Sequence, residues 1–252
     1  MKEQVRFGLY GCNPYRTKQF MDGAMKYAAE RVSVGACFDI DRAKADQASA
    51  TYGGKACYDL ASFQKADFDV ALVCLPPYLH PEAFVACAEA GKDVYLEKPV
   101  CIDDVGRDKL IAAMEKHHPV CYVGISSPYI MPHRKALEIC RRAEGGRLVS
   151  VYHHRFHPSE GKAPDKPNWR HRLEESGGEL NQHCSHDMHY LRLVCGNAKS
   201  VMAMSINTPS FLPAHEEEDV TACFDMEQGM AVFSLSQRSH RAHLSGQIHM
   251  EN

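Results

Sequence analysis

The chain has 252 residues, 44% of them hydrophobic and 24% charged, with a net charge of −3. That balance supports packed cores in one large or two modest domains, excludes a disordered chain, and supplies no basic run of the kind a nucleic-acid backbone requires. No apolar stretch approaches the roughly 20 residues of a membrane span, and 11 cysteines without a Cys-x-x-Cys pair fit reduced thiols in a cytoplasmic protein better than disulfides.

Val5 to Tyr10 reads as an apolar strand, and Gly11-Cys-Asn-Pro-Tyr-Arg16 turns it into a helix reaching about Arg31. A dinucleotide fold places its G-x-G-x-x-G/A loop at this point, so that backbone N–H groups and the helix N-terminus meet a pyrophosphate. Gly11 fits that pattern, whereas Asn13 stands at the second glycine and Arg16 at the third, and an ordinary strand-to-helix turn is the alternative reading. Asn tolerates left-handed backbone, and Arg16 or Lys18 can supply charge for a phosphate. A second strand, Val32 to Phe38, ends in Asp39-Ile-Asp-Arg42 before a helix from Ala43 to Tyr52. Asp39 is placed to accept hydrogen bonds from an adenosine ribose, which favours NAD over NADP, while Asp41 sits nearer the helix start and suits an N-cap.

Val70 to Cys74 is an apolar run too short for a helix, stopped by Pro76-Pro77. His80 to Ala90 is helical, Gly91 terminates it, and Val94 to Leu96 returns to strand. A strand, helix and strand joined by short links form a right-handed crossover, so the two strands run parallel and share one C-terminal edge, to which Lys98 is delivered. A lysine there can stabilise an alkoxide or move a proton; a surface salt bridge is the plainer role. Pro76-Pro-Tyr-Leu-His80, Ala90-Gly-Lys-Asp-Val94 and Glu97-Lys-Pro99, in this order and spacing, resemble the glucose-fructose oxidoreductase and inositol dehydrogenase (Gfo/Idh/MocA) family.

Further along, Cys101 to His117 reads as a helix capped by Asp103 or Asp104, and Val120 to Gly124 as the strand that closes a first domain, 1–124. The second domain, 125–252, opens on a Pro-marked link and a basic helix from Pro132 to Arg142; the arginine that the family usually carries near Pro128 is absent. Arg147 to Phe156 alternates as a strand, Pro158 to Pro167 is a loop, and Trp169-Arg170 resembles the family's pair ahead of its glycine run. Trp169 suits either a core position or a sugar platform.

Ser176 to Cys195 contains a helix ended by Gly196, with Leu180, Cys184, Met188, Leu191 and Cys195 as its apolar stripe and Gln182, His186 and His189 on another face. His186 matches the family histidine, while Gln182 and His189 stand where aspartates are usual. His186 is thus the candidate for proton transfer, because a Gln side chain can orient a hydroxyl but cannot exchange a proton. His183, Cys184, His186 and His189 invite a metal reading, yet the helix can bring at most two of them to one ion, and no metal is expected. Strands at Val201 to Ile206, Val220 to Met226, Met230 to Gln237 and Gln247 to Met250 form an antiparallel sheet, with Glu216 to Asp219 as a solvated connection.

The expected architecture is therefore α/β: a Rossmann-type parallel sheet followed by an α+β domain with an open, mainly antiparallel sheet, incomplete because the chain stops at Asn252. The resemblance implies an NAD-dependent oxidoreductase acting on a secondary hydroxyl of a sugar, cyclitol or related polyol, with Lys98 and His186 catalytic. It implies substrate contacts at Gln182, His189, Trp169 and Arg170, and cofactor contacts at Gly11, Cys12, Asn13, Asp39, Leu75, Pro76, His80, Glu97 and Lys98. It also implies a homo-oligomer, with neither nucleic acid nor membrane as partner. An NAD-using glycosidase of the same superfamily and a non-catalytic nucleotide-binding relative are the alternatives.

Overall fold

The computed structural model of the protein describes residues 4–142, 145–156, 168–206, 219–237 and 242–251, and the chain divides into two compact units, 1–124 and 125–252. The expected loop over 158–167 lies outside the described residues, as do Glu216, Glu217 and Glu218.

The first unit is built on six parallel strands, β1 (Val5–Tyr10), β2 (Val32–Phe38), β3 (Lys55–Cys57), β4 (Val70–Val73), β5 (Asp93–Leu96) and β6 (Cys121–Val123), in the order β3-β2-β1-β4-β5-β6. Its helices are α1 (Arg16–Ala28), α2 (Arg42–Tyr52), α3 (Leu60–Gln64), α4 (His80–Glu89) and α5 (Asp104–His117). The unbroken apolar run of β4 reflects burial on both faces, as a central parallel strand requires. Ala71 and Val73 join Phe63, Phe84 and Leu96 in one core, while Leu72 and Cys74 join Leu9 and Met21 in the other. Short acidic side chains start three of the helices: Asp41 accepts from the Ala43 amide, Asp59 from Ser62, and Asp103 from Gly106. The strand order reverses between β1 and β4, the switch point where open α/β sheets bind ligands.

The second unit carries β7 (Leu148–Phe156), β8 (Ala198–Ile206), β9 (Asp219–Met226), β10 (Met230–Ser236) and β11 (His243–Met250), in the order β11-β7-β10-β9-β8. The sheet is mainly antiparallel, as expected, with one parallel pairing: the β9/β10 hairpin inserts beside β7 so that β10 pairs with it in parallel, and the other pairs are antiparallel. Its described α-helices are α6 (Met131–Cys140), α7 (Leu173–Ser176) and α8 (Gly178–Cys195), with 3₁₀ turns at Ser127–Tyr129 and Trp169–His171. Cys184, Leu191 and Cys195 of the predicted stripe are buried together with Tyr190, Val194, Val151 and Phe233, while Leu180 and Met188 pack at its margin. The edge strand β8 exposes Val201, Met202, Met204 and Ile206. Among the described residues, no helix is long and apolar enough to cross a membrane.

Candidate functional site

The C-terminal ends of β1, β2 and β4 open onto a cleft of about 430 Å³, lined by Gly11, Asn13, Asp39, Ile40, Leu75, Pro76, Tyr78 and Leu79 and by neighbouring side chains. Gly11 has φ +88°, and a Cβ there would stand 2.6 Å from the Cys74 carbonyl oxygen, so only glycine lets the loop pass this close to the end of β4. Asp39 is fixed from both sides: one carboxylate oxygen accepts from the Cys12 amide at 2.9 Å, and the other accepts from the Asp41 amide at 2.9 Å. The acid at the end of β2 thereby holds the glycine loop while lining the cleft. Cys12 contributes this backbone amide, and its thiol is buried.

Asn13, at the position of a usual glycine, acts through its side chain. Its Oδ1 accepts from the amides of Tyr15, just ahead of α1, at 2.8 Å and of Arg16, the first residue of α1, at 3.1 Å, donors that would otherwise be open to an anion. Lys18 is ion-paired with Asp22 yet still lines a hollow with Cys12, Asn13 and Pro14, whereas Arg16 donates to Gln19 at 3.1 Å, stacks over Tyr15 and carries its charge toward Glu97.

Glu97 and Lys98 lie further along the same sheet edge, just past β5. Burial raises the Glu97 carboxyl, opposed by the charge of Arg16, by the Lys98 amide, which Glu97 accepts at 3.3 Å, and by the Lys98 charge. The Glu97 carboxylate packs against Gly124 at the end of β6. His80 is placed differently from the cofactor contact expected of it. Its ring is 1% exposed, Nδ1 lies 2.7 Å from the Pro99 carbonyl and Nε2 lies 2.9 Å from the Leu75 carbonyl, so no ring atom is presented to a ligand. His80 opens α4 on the helix's buried face, which continues through Ala83, Phe84, Cys87 and Ala88.

On α8 of the second unit, His186 and His189 are half-buried, and burial lowers the His189 pKa with the Arg192 charge adding to the shift. Gln182, one of the trio expected on a shared face, is 3% exposed: its Oε1 accepts from Arg170 Nη1 at 3.3 Å, and its Nε2 donates to the Arg170 carbonyl at 3.2 Å. Arg170 in turn stacks over the Trp169 ring, 4.3 Å from its centroid, so Trp169, Arg170 and Gln182 form one connected group. His183 pairs with Glu179 at 3.0 Å. Among the described residues, no three His, Cys, Asp or Glu side chains converge as metal ligands.

Behind α8 lies a cluster that sequence reading missed. Asp187, 1% exposed, accepts from His153 Nε2 at 2.7 Å and from Arg155 Nη2 at 2.9 Å, with Arg155 Nε as a third donor. His133 stacks on Tyr190 at 4.1 Å and bonds the Ser127 carbonyl at 3.1 Å, and the Ser127 hydroxyl donates to the His186 carbonyl at 2.8 Å. The backbone that carries His186 is thus held from behind. The alternation of β7, which turns His153 and Arg155 to one face, was the available signal.

Comparison with known proteins agrees with this geometry. Residues 5–125 match the description "Oxidoreductase family, NAD-binding Rossmann fold", and residues 133–252 match "GFO/IDH/MocA C-terminal domain". The chain belongs to the Gfo/Idh/MocA family of NAD-binding oxidoreductases. It is 23% identical over 145 residues to 2,7-anhydro-N-acetylneuraminate hydratase of Mediterraneibacter gnavus, covering 57% of this chain and 37% of that protein. It is 27% identical over 128 residues to myo-inositol 2-dehydrogenase of Thermotoga maritima, covering 51% of this chain and 36% of that protein. The chain thus spans little more than a third of the length of these two relatives. In fold it is similar to the WlbA dehydrogenase of Bordetella pertussis, solved with NADH and UDP-GlcNAcA, with a TM-score of 0.85 at 22% identity over 98% of this chain and 76% of that one.

Proposed function

We propose that the protein is an NAD-dependent dehydrogenase or reductase acting on a secondary hydroxyl of a sugar, cyclitol or related polyol. The observation that carries this reading is the cleft at the β1/β4 switch point. There a glycine that no other residue could replace, an acid anchored by two amides and the apolar lips Ile40 and Leu79 fit an adenine dinucleotide. When bound, that cofactor supplies the hydride acceptor or donor. The chain itself orients and moves protons. Asp39 takes the ribose hydroxyls, and the backbone of Gly11 and Cys12 with Arg16 takes the pyrophosphate. Lys98 and His186 handle the proton of the substrate hydroxyl, and Trp169, Arg170 and His189 contact the polyol. Named relatives act on or bind inositol and a nucleotide sugar, which supports the substrate class.

Calorimetry tests the cofactor half of this reading. A carboxylate at Asp39 bonds a free 2′-hydroxyl and repels a 2′-phosphate, so NADH is expected to bind at least about tenfold more tightly than NADPH, a difference of about 1.4 kcal/mol. Asp39→Ser should narrow the gap, whereas equal affinity of the unaltered protein for both cofactors would remove Asp39 from this role.

A second reading, dinucleotide binding without turnover, is favoured by Asn13 capping the amides of Tyr15 and Arg16 and by Gln182 standing where a proton-transferring aspartate is usual. Bound cofactor with no reduction across a polyol panel would select it.

A further inference from the structure

His80 is buried, carries two polar atoms and has no place among the groups that would touch cofactor or substrate. Its two partners, however, belong to the two parts of the site. The Leu75 carbonyl, 2.9 Å from Nε2, is part of the residue that walls the cleft beside Gly11, and the Pro99 carbonyl, 2.7 Å from Nδ1, follows Lys98 directly. Leu75 ends the segment after β4 and Pro99 the segment after β5, so one imidazole ties together two neighbouring loops of the sheet edge. Both partners are acceptors. A neutral imidazole has one N–H and serves either carbonyl in turn, according to its tautomer, whereas the cation serves both at once. Burial disfavours the cation and lowers the His80 pKa, while the two carbonyls act in the opposite direction.

We propose that His80 is a positioning residue that couples the dinucleotide cleft to Lys98, its Leu75 contact setting the cleft wall and its Pro99 contact setting the lysine. This rests on the reading above that the cleft takes a nicotinamide dinucleotide and that Lys98 acts on the substrate proton. The two contacts are separable by substitution. An Asn amide reaches about as far as Nδ1 and keeps a donor for Pro99, and a Gln amide reaches about as far as Nε2 and keeps a donor for Leu75.

The test compares His80→Asn and His80→Gln with the unaltered full chain, using NADH affinity by fluorescence, turnover, and the titration of the Lys98 signal in reductively ¹³C-methylated protein, assigned by its loss in Lys98→Met. His80→Asn should weaken NADH binding about tenfold with the Lys98 titration and turnover within about threefold, the scale of one lost hydrogen bond. His80→Gln should do the reverse, with NADH affinity kept, turnover down about tenfold and the Lys98 titration moved. Equal losses in both variants, or none in either, would overturn the coupling. If neither variant folds, NADH added to the unaltered protein should shift both the His80 ring ¹⁵N resonances and the Lys98 signal, and failure of either to move overturns it. Normal turnover of Lys98→Met would instead refute the catalytic reading, while the NADH affinities and the Lys98 titration would still judge the coupling.

Discussion

Asp187→Ala should destabilise the second unit more than any other single truncation on α8. The carboxylate is 1% exposed and accepts from His153, which is 3% exposed, and from Arg155, which is 21% exposed. Removing it leaves a buried imidazole without its acceptor and a guanidinium with only partial access to water. Breaking a buried pair from one side costs about 3–5 kcal/mol, and the partial exposure of Arg155 puts the expected loss near the lower end, about 3 kcal/mol. At roughly 2–4 °C per kcal/mol for a chain of this size, the melting of this unit should fall by about 6–12 °C. Burial alone would raise the Asp187 carboxyl, but the bonds from His153 and Arg155 outweigh it and hold the group below the usual carboxylate range. A depressed folded value means that the stabilisation is complete above the unfolded value of about 4 and is lost as pH falls through the folded one. The gap between wild-type and Asp187→Ala melts, followed by circular dichroism on the full chain, should therefore stay constant down to about pH 5 and close below about pH 4. A loss below about 0.5 kcal/mol, within the range of ordinary surface changes, would refute the assignment. So would the absence of coupling in a double-mutant cycle with Arg155→Met.

Lys98→Met and His186→Ala should each lower turnover by about a hundredfold to ten-thousandfold with NAD affinity within a few-fold, and the double variant should lose less than the product, as steady-state kinetics would show. Gln182→Asp should be mild by comparison. Asn13→Asp retains the cap on α1 but sets a negative charge where the pyrophosphate would lie, so NADH affinity should drop about tenfold or more in calorimetry with the melting temperature unchanged or raised. Burial pushes the Cys74 thiol up to about 12, with Glu97 adding to the shift, and burial likewise pushes Cys87 up to about 12. Both should stay unmodified by maleimide in the native protein at neutral pH, as peptide mass spectrometry would report.

The first unit was legible because its signals are local. The apolar run of β4, the prolines after it, Gly91 and the Glu97-Lys-Pro99 turn each fix a boundary within a few residues, and Asp41 and Asp103 sit as caps where their spacing places them. His80 was misplaced because it was read as a loop-end ligand and not with the buried stripe of α4, on which it stands four residues before Phe84 and seven before Cys87. The parallel pairing of β10 with β7 is a matter of strand order, which alternation of side chains cannot encode. The Asp187 cluster joins a helix to a strand more than 30 residues away, and from the sequence its aspartate is only the neighbour of a more conspicuous histidine. Gln182 occupies the face predicted for it but is covered by Arg170, a contact set by the packing of a 3₁₀ turn onto α8.

Hydride transfer at the expense of a polyol is the central claim, and cofactor reduction measures it without assumption about the substrate's identity. The full chain with NAD and a panel of inositols, hexoses, sugar acids and nucleotide sugars should form reduced nicotinamide with at least one member, and Lys98→Met should abolish that signal while still binding NADH. An unaltered protein that binds NADH yet leaves the cofactor unreduced by every member, and does not oxidise NADH with the corresponding ketones, would contradict it.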